Sequence, residues 1–276
     1  MDKFWRAEAM IRESAPPHIT IESVEPAPEA WLARVHTRDY LDSIRHGTLD
    51  RVAALKLGLP AGEALLTRSR LETAGTVAAL HAARADGIAF NLAGGTHHAF
   101  PDRGLGYCVL NDVAVAIRDL HDREPARRIL VIDTDAHQGN GTHAIFAGDD
   151  RVYTYSIHVG RNYPAIKSPG CCDVELARYA DGATWLDRLA ATLPAAAEAA
   201  RADLAIWIAG ADLHEDDRFG QLRLNDADFA ARDRFIIELL RTHGLPVAVL
   251  YGGGYNRDRL HTARLHAATV LRLAAD

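Results

Sequence analysis

Residues 129–142 read ILVIDTDAHQGNGT, and this stretch decides the fold class. Its first four residues are all apolar, which is typical of a parallel strand that is covered on both faces. Two aspartates and a histidine then follow at alternate positions, Asp133, Asp135 and His137. The stretch therefore predicts a buried strand with a polar site at its carboxyl end.

Other parts of the chain repeat this pattern of a short apolar run followed by a helical segment. The further apolar runs lie at 88–92, 152–157, 204–208 and 247–251. The helical patterns lie at about 70–85, 112–122, 183–202, 226–243 and 258–274. Strands that alternate with helices predict an α/β sandwich with a mostly parallel sheet and right-handed crossovers. Pro194 lies inside one helical pattern, and we expect it to break or kink that helix.

The composition favours one soluble domain over residues 1–276, because no Pro-rich or Gly/Ser-rich linker divides the chain. Three cysteines, an odd and sparse number, fit a reducing compartment. Charges interrupt the first apolar residues, and no apolar run approaches the roughly 20 residues that span a bilayer. A net charge of −6 argues against nucleic acid as a direct partner. We therefore expect a cytoplasmic protein without a membrane partner.

Polar residues follow four of the five predicted strands, at 94–98, 133–137, 210–212 and 252–255. In open α/β sheets, ligands bind at the carboxyl ends of the strands. These four segments are far apart in sequence, yet the strand pattern brings them to one edge of the sheet. The sequence thus predicts a single composite site.

A metal centre is one interpretation of the Asp133–His137 segment. Side chains at alternate positions of an extended chain point the same way, and carboxylate and imidazole groups are good zinc ligands. With Asp212 as a third ligand, Asp135 and His137 would leave one coordination position open, as in catalytic zinc sites. The alternative is an acidic loop that only caps the next helix.

Two further groups have the chemistry of a catalytic site. His97 and His98 follow two glycines, and imidazole is the usual general acid or base near neutral pH. Tyr255 follows three glycines and could donate a hydrogen bond to an oxyanion. The alternatives are a hydrogen-bonded pair of loop histidines and a simple turn with a surface tyrosine. The glycines lack the spacing of a phosphate-binding loop.

Five motifs in this order resemble those of the histone deacetylase superfamily, over roughly Glu25 to the C-terminus. They are GGTHHAFPDRGLGYCVLND at 94–112, VIDTDAHQGNGT at 131–142, YSIH at 155–158, AGADLHEDDRFG at 209–220 and YGGGYNRD at 251–258. The DAHQGNG and DRFG variants look most like class IV histone deacetylases and their bacterial relatives. The resemblance implies an arginase/deacetylase-like three-layer fold with a central parallel sheet of about eight strands. It also implies hydrolysis of an acyl-lysine in a protein or peptide, or of a small acylated amine.

The resemblance also implies roles for individual residues. His98 matches the general base and acid, His97 the second histidine, Asp133 its carboxylate partner and Tyr255 the tyrosine that polarises the carbonyl. Asp135, His137 and Asp212 match the ligands of Zn²⁺, a set that also tolerates Fe²⁺. The walls of the substrate channel match Gly106, Tyr107, Tyr163 and Gly253. A structural K⁺ site in the family matches Asp133, Asp135, His137 and Ser156.

Two departures from the family pattern carry expectations of their own. Asn140 stands where many members carry an aspartate beside the base histidine, so we expect it to raise the His98 pKa less than Asp would. The chain also begins with a helix near Asp2, whereas members have a first strand and a rim loop before that helix. We therefore expect an exposed edge strand and a wider channel mouth.

The same residues leave other functions open. Acetylpolyamine deacetylases and acetoin-utilisation proteins share the metal set and differ in their rim loops. A catalytically silent module that binds an acylated amine is a candidate from another class. An arginase-type ureohydrolase would need two metals, and one Asp-His-Asp set is too few for that.

Overall fold

The structure is a computed structural model that describes residues 3–275. The helices in this range are α1 Lys3–Ser14, α2 Glu29–Leu32, α3 Arg38–His46, α4 Arg51–Leu57, α5 Glu63–Asp86, α6 Asp112–Arg123, α7 Asn140–Ile145, α8 Gly182–Ala200, α9 Asp226–Thr242 and α10 Arg259–Ala274. The strands are β1 Ile88–Asn91, β2 Ile129–Asp133, β3 Val152–Val159, β4 Cys172–Leu176, β5 Leu204–Ile208 and β6 Val247–Leu250.

One open sheet with the order β1-β6-β5-β2-β3-β4 organises the fold. Every neighbouring pair in it is parallel. The prediction of a parallel α/β sandwich is therefore confirmed, but residues 3–275 contain six strands rather than about eight. The apolar runs did not predict β4, because this edge strand alternates buried and exposed positions. Partly buried β1 forms the other edge.

Alternate side chains of the central strands pack on opposite faces of the sheet. Val131 and Ile206 join a core with residues of α5 and α6. Leu130, Ile132 and Trp207 join a second core with residues of α8 and α9. Helices therefore cover both faces, which explains why β2 and β5 consist almost entirely of buried apolar residues.

The predicted helices exist, but their details differ at two places. α8 stays helical on both sides of Pro194, so the proline does not break the helix, and a kink there stays a prediction. Proline removes only one backbone hydrogen bond, and buried Leu189, Leu193 and Ala197 hold the helix against the sheet. α5 begins at Glu63, earlier than predicted, and ends as predicted before Gly87. Within residues 3–275, no helix is both long and apolar enough to cross a membrane.

The sheet order explains how the polar segments meet. The four strands that precede them, β1, β6, β5 and β2, are consecutive neighbours in the sheet. Because all four run parallel, their carboxyl ends lie at one edge. The site is therefore assembled from the loops that follow these strands.

Candidate active site

Asp135, His137 and Asp212 meet at the bottom of a pocket. One potential ligand atom from each lies within 4.8 Å of the others, and all three residues are buried. His137 Nδ1 lies 2.8 Å from Asp212 Oδ2 and 3.0 Å from Asp135 Oδ1. Two carboxylates and one imidazole are a donor set that fits a divalent ion such as Zn²⁺ and leaves room for another ligand.

Main-chain N–H groups hold the two carboxylates in place. Ala136 N donates to Asp212 Oδ1 at 2.9 Å, and Gly253 N donates to Asp135 Oδ2 at 2.8 Å. A Cβ atom at Gly253 would lie 2.5 Å from Asp135 Oδ2 and 2.7 Å from Asp212 Oδ2. Only glycine therefore allows this loop to approach the two carboxylates so closely.

His97 and His98 are buried side by side, with ring centroids 4.1 Å apart. His97 Nδ1 lies 2.6 Å from Asp133 Oδ2. Burial lowers the pKa of His97, but the Asp133 and Asp135 carboxylates outweigh it and raise that pKa to about 9. Burial, followed by the charges of His97 and His137, holds the pKa of His98 well below its usual value. These shifts favour a charged imidazole at His97 and a neutral imidazole at His98.

The hydrogen bond to Asn140 decides which nitrogen of His98 is free. His98 Nδ1 lies 2.9 Å from Asn140 Oδ1, while Asn140 Nδ2 donates to the Ile166 carbonyl at 3.4 Å. An amide oxygen only accepts, so His98 carries its proton on Nδ1. Its Nε2 lone pair is then available to accept a proton from a group in the pocket.

Aromatic side chains form the upper walls of the pocket, whose volume is about 710 Å³. The Tyr255 ring lies 5.8 Å from the Tyr107 ring, and Tyr163 meets His98 edge-on at 4.9 Å. A Cβ atom at Gly106 would lie 2.8 Å from Tyr163 and 2.9 Å from His98, so this wall requires glycine. Burial raises the pKa of Tyr255 well above its usual value, which keeps the phenol protonated.

Ser156 lies next to Asp133 in the register of β2 and β3. Ser156 is fully buried, and its Oγ lies 2.9 Å from His158 Nδ1. Asp133 uses Oδ1 to accept from Asp135 N at 3.0 Å and Oδ2 to contact His97. Both Asp133 oxygens are therefore engaged by Asp135 N and His97, and the K⁺ site stays a prediction.

Three residues of the site were missed by the sequence reasoning. Lys3 Nζ donates to the carbonyls of Gly252 at 3.2 Å and Gly254 at 3.3 Å. Lys3 and Gly252 are 249 positions apart in the sequence. Burial lowers the Lys3 pKa to about 8, although the Asp212 and Asp135 carboxylates oppose it. Asp112 accepts from Gly95 N and Thr96 N, just before the histidine pair. Asp217 contacts the loop of Tyr255.

A second group with metal-ligand chemistry, His214, Asp226 and His261, lies near the surface. His214 Nδ1 accepts from Asp216 N at 3.1 Å, and a backbone N–H can only donate. The neutral ring therefore carries its proton on Nε2, the atom that faces Asp226 Oδ1 at 3.3 Å. That nitrogen has no free lone pair for a metal, so this group is a hydrogen-bonded cluster.

Comparisons with known proteins agree with this geometry. The family model of the histone deacetylase domain matches residues 3–271. An uncharacterized protein of Picosynechococcus sp. is 37% identical over 247 residues, which are 90% of this chain and 82% of the relative. Histone deacetylase 2 of Arabidopsis thaliana is 28% identical and covers 99% of this chain and 70% of its own length. An HDAC homologue solved in complex with SAHA has a TM-score of 0.81 at 26% identity, covering 98% of this chain and 77% of its own.

Proposed function

Because this chain belongs to the histone deacetylase family, we propose that it is a metal-dependent amidohydrolase that removes the acyl group from an acylated amine. One observation carries the proposal: the metal-binding set lies in the same pocket as His98 and Tyr255. A metal-binding group, a neutral imidazole and a protonated phenol are the parts that amide hydrolysis needs.

Asp135, His137 and Asp212 are proposed to hold the metal ion. When bound, a divalent ion polarises a carbonyl oxygen and lowers the pKa of a water molecule toward about 7. The donor set suits Zn²⁺ and also Fe²⁺. Gly253 N and Ala136 N keep the two carboxylates oriented, and such support typically changes metal affinity by about 10–100-fold.

His98 is proposed to move the proton during hydrolysis. Its Nε2 takes a proton from water as the water oxygen attacks the carbonyl carbon, and then gives that proton to the leaving amine nitrogen. Asn140 fixes the tautomer that this role requires. His97, paired with Asp133, supplies a positive charge beside the reacting atoms. The products are a carboxylic acid and a free amine.

Tyr255 is proposed to donate its phenol hydrogen to the oxygen that becomes negative during attack. Removing one such donor typically costs about 3–4 kcal/mol of transition-state stabilisation. Gly106, Tyr107, Tyr163 and Gly253 would guide a narrow acyl-amine chain toward His98 and Tyr255. A lysine side chain or a polyamine arm has the slim shape that such walls admit.

The substrate class is proposed as an acyl-lysine, with a small acylated amine as the second candidate. Support comes from the structurally similar HDAC homologue, which was solved in complex with SAHA. An acetyl-lysine peptide, a long-chain acyl-lysine peptide and an acetylated polyamine should be compared at equal concentration. The preferred member of this panel identifies the substrate class.

The test uses zinc-loaded protein with two matched variants. We expect hydrolysis of at least one panel member, loss of activity with a chelator and recovery with Zn²⁺. His98→Ala and Tyr255→Phe should each lower kcat by roughly 100-fold or more while thermal unfolding stays cooperative. Near-wild-type turnover in either variant contradicts these roles. A metal-loaded protein that binds a hydroxamate but hydrolyses no amide would instead be a binding module.

A further inference from the structure

The segment 212–220 carries a metal-binding residue at its start and holds the loop of Tyr255 along its length. We propose that Asp217 is a positioning residue that sets the location of Tyr255 for catalysis. The inference rests on the proposed function, since Tyr255 matters here as the donor to the oxyanion. It adds a residue whose carboxylate acts through the main chain rather than on substrate.

The Asp217 carboxylate binds three backbone N–H groups with two oxygens. Oδ2 accepts from Tyr255 N at 2.5 Å. Oδ1 accepts from Phe219 N at 2.8 Å and Gly220 N at 2.9 Å. Hydrogen bonds to an ionised acceptor are about twice as strong as neutral ones. One side chain therefore connects the segment after Asp212 to the backbone of Tyr255.

Neighbouring contacts reinforce the same connection. Asp217 and Asn256 form an antiparallel bridge, and Arg218 Nε donates to the Tyr255 carbonyl at 3.1 Å. The Phe219 ring meets the Tyr255 ring edge-on at 5.3 Å. Both polar main-chain groups of Tyr255 are thus bound by consecutive residues, 217 and 218.

The contacts that hold this loop from Asp135 and Lys3 fall on Gly252, Gly253 and Gly254, before Tyr255. Tyr255 lies after β6, which ends at Leu250, and before α10, which begins at Arg259. Gly252 and Gly254 have φ values of 66° and 148°, which are open to glycine and strained for other residues. Asp217 adds a contact at the main-chain N–H of Tyr255 itself, from the segment that begins at Asp212.

Asparagine is the informative substitution because it has one acceptor oxygen instead of two. In Asp217→Asn, the one amide oxygen can accept either from Tyr255 N or from Phe219 N and Gly220 N. The NH₂ group then faces the remaining N–H donor or donors, with which it cannot form a hydrogen bond. Asp216→Asn is the matched control. Asp216 Oδ2 accepts a long bond from Asp258 N at 3.4 Å, which an asparagine oxygen can replace. Its Oδ1 lies 3.6 Å from Nη1 of Arg257, whose side chain is 80% exposed, and the loss of such an exposed ion pair has little effect.

The experiment is a double-mutant cycle between Asp217→Asn and Tyr255→Phe on the zinc-loaded enzyme. A displacement of about 1 Å can lower turnover by roughly 100-fold, so we expect Asp217→Asn to lower kcat by roughly 10- to 100-fold. KM should stay within about twofold. In the Tyr255→Phe background, the same substitution should change kcat by less than about twofold, because the phenol it positions is gone. Asp216→Asn should match wild type.

Amide hydrogen exchange gives a second readout that does not require activity. Asp217→Asn should speed deuterium uptake in a peptide covering 252–258, and Asp216→Asn should not. If Asp217→Asn lowers kcat equally in both backgrounds, Asp217 acts only on the fold and the inference is overturned. Unchanged exchange at 252–258 also overturns it. If the wild type hydrolyses no panel member, the proposed function fails, and the exchange result still decides whether Asp217 holds the loop.

Discussion

The floor and the mouth of the pocket are built in different ways. Asp135, His137 and Asp212 on the floor are 2%, 7% and 0% exposed, and strand ends hold them. Tyr107 and Tyr163 at the mouth are 45% and 40% exposed and belong to loops. The sheet therefore fixes the residues proposed to hold the metal, whereas the residues proposed to guide the substrate lie on loops that the sheet does not fix.

Removing a residue of the floor should change the protein most. Asp212→Ala removes one of three ligands, so bound zinc should fall from about one per chain to near zero, since even indirect support alters affinity by about 10–100-fold. Metal analysis after dialysis measures this. Asp226→Ala, in the cluster of His214 and His261, is the control and should retain the metal. If Asp226→Ala lost the zinc and Asp212→Ala kept it, the metal would be bound by the cluster of His214, Asp226 and His261 and not by the floor.

Acid should loosen the mouth through His36. His36 Nδ1 donates to the Phe100 carbonyl at 3.1 Å, and Nε2 accepts from Asn111 N at 2.9 Å. These two contacts bracket the segment that carries Gly106 and Tyr107. Burial lowers the His36 pKa to about 4 in the folded protein, compared with 6.5 for the ordinary side chain.

The sign of the pH dependence follows from this lowered pKa. The stabilisation from neutral His36 is complete above pH 6.5 and is lost as the pH falls to about 4. In this range the unfolded chain, in which the His36 pKa is higher, binds a proton that the folded protein does not. The loss is on the order of 3 kcal/mol. His36→Gln should flatten this part of the profile by up to about 1.4 kcal/mol per pH unit in urea unfolding. His46→Gln, at an exposed position, should keep the wild-type slope. An equal slope in all three proteins would remove His36 as the cause.

A substitution at the mouth should change the protein least. Leu55 is 73% exposed on α4 and lines the pocket. Leu55→Ser removes an apolar contact worth about 1 kcal/mol, so KM for an acyl-lysine peptide should rise by roughly 2- to 5-fold at constant kcat. Val52→Ser, also on α4 and 59% exposed, is the control and should keep the wild-type KM. A kcat effect in Leu55→Ser as large as that of Tyr255→Phe would abolish the distinction between floor and mouth.

The sequence predicted the floor because its signals are local. Asp133, Asp135 and His137 follow an apolar run, and the carboxyl end of a buried parallel strand is where ligand-binding side chains gather. β2 ends at Asp133, so Asp135 and His137 are placed by a turn in which Asp135 N donates to Asp133 Oδ1 and not by strand alternation. The neighbouring order of β1, β6, β5 and β2 then brings the other segments to the same edge. The identity of the polar residues after each strand was sufficient evidence for a composite site.

Other features depend on contacts that no local pattern carries. Lys3 reaches Gly252 across 249 residues, and nothing in its surroundings marks it as part of a pocket. Asp217 stood within a recognised motif, but its partner, Tyr255 N, is main chain and is invisible in a sequence. β4 was missed because one face of an edge strand is polar. Pro194 does not end α8, because buried neighbours outweigh the loss of one hydrogen bond.

The parallel order of the sheet also has a consequence for how the protein matures. Asp135 and the Gly253 amide that steadies it are 118 positions apart, and Asp212 comes from a third strand end. A partly folded chain therefore offers only fragments of the ligand set, and loose fragments bind an ion weakly. A metal ion held as proposed therefore binds late, once the sheet is complete, and its binding shifts the folding equilibrium toward the folded state.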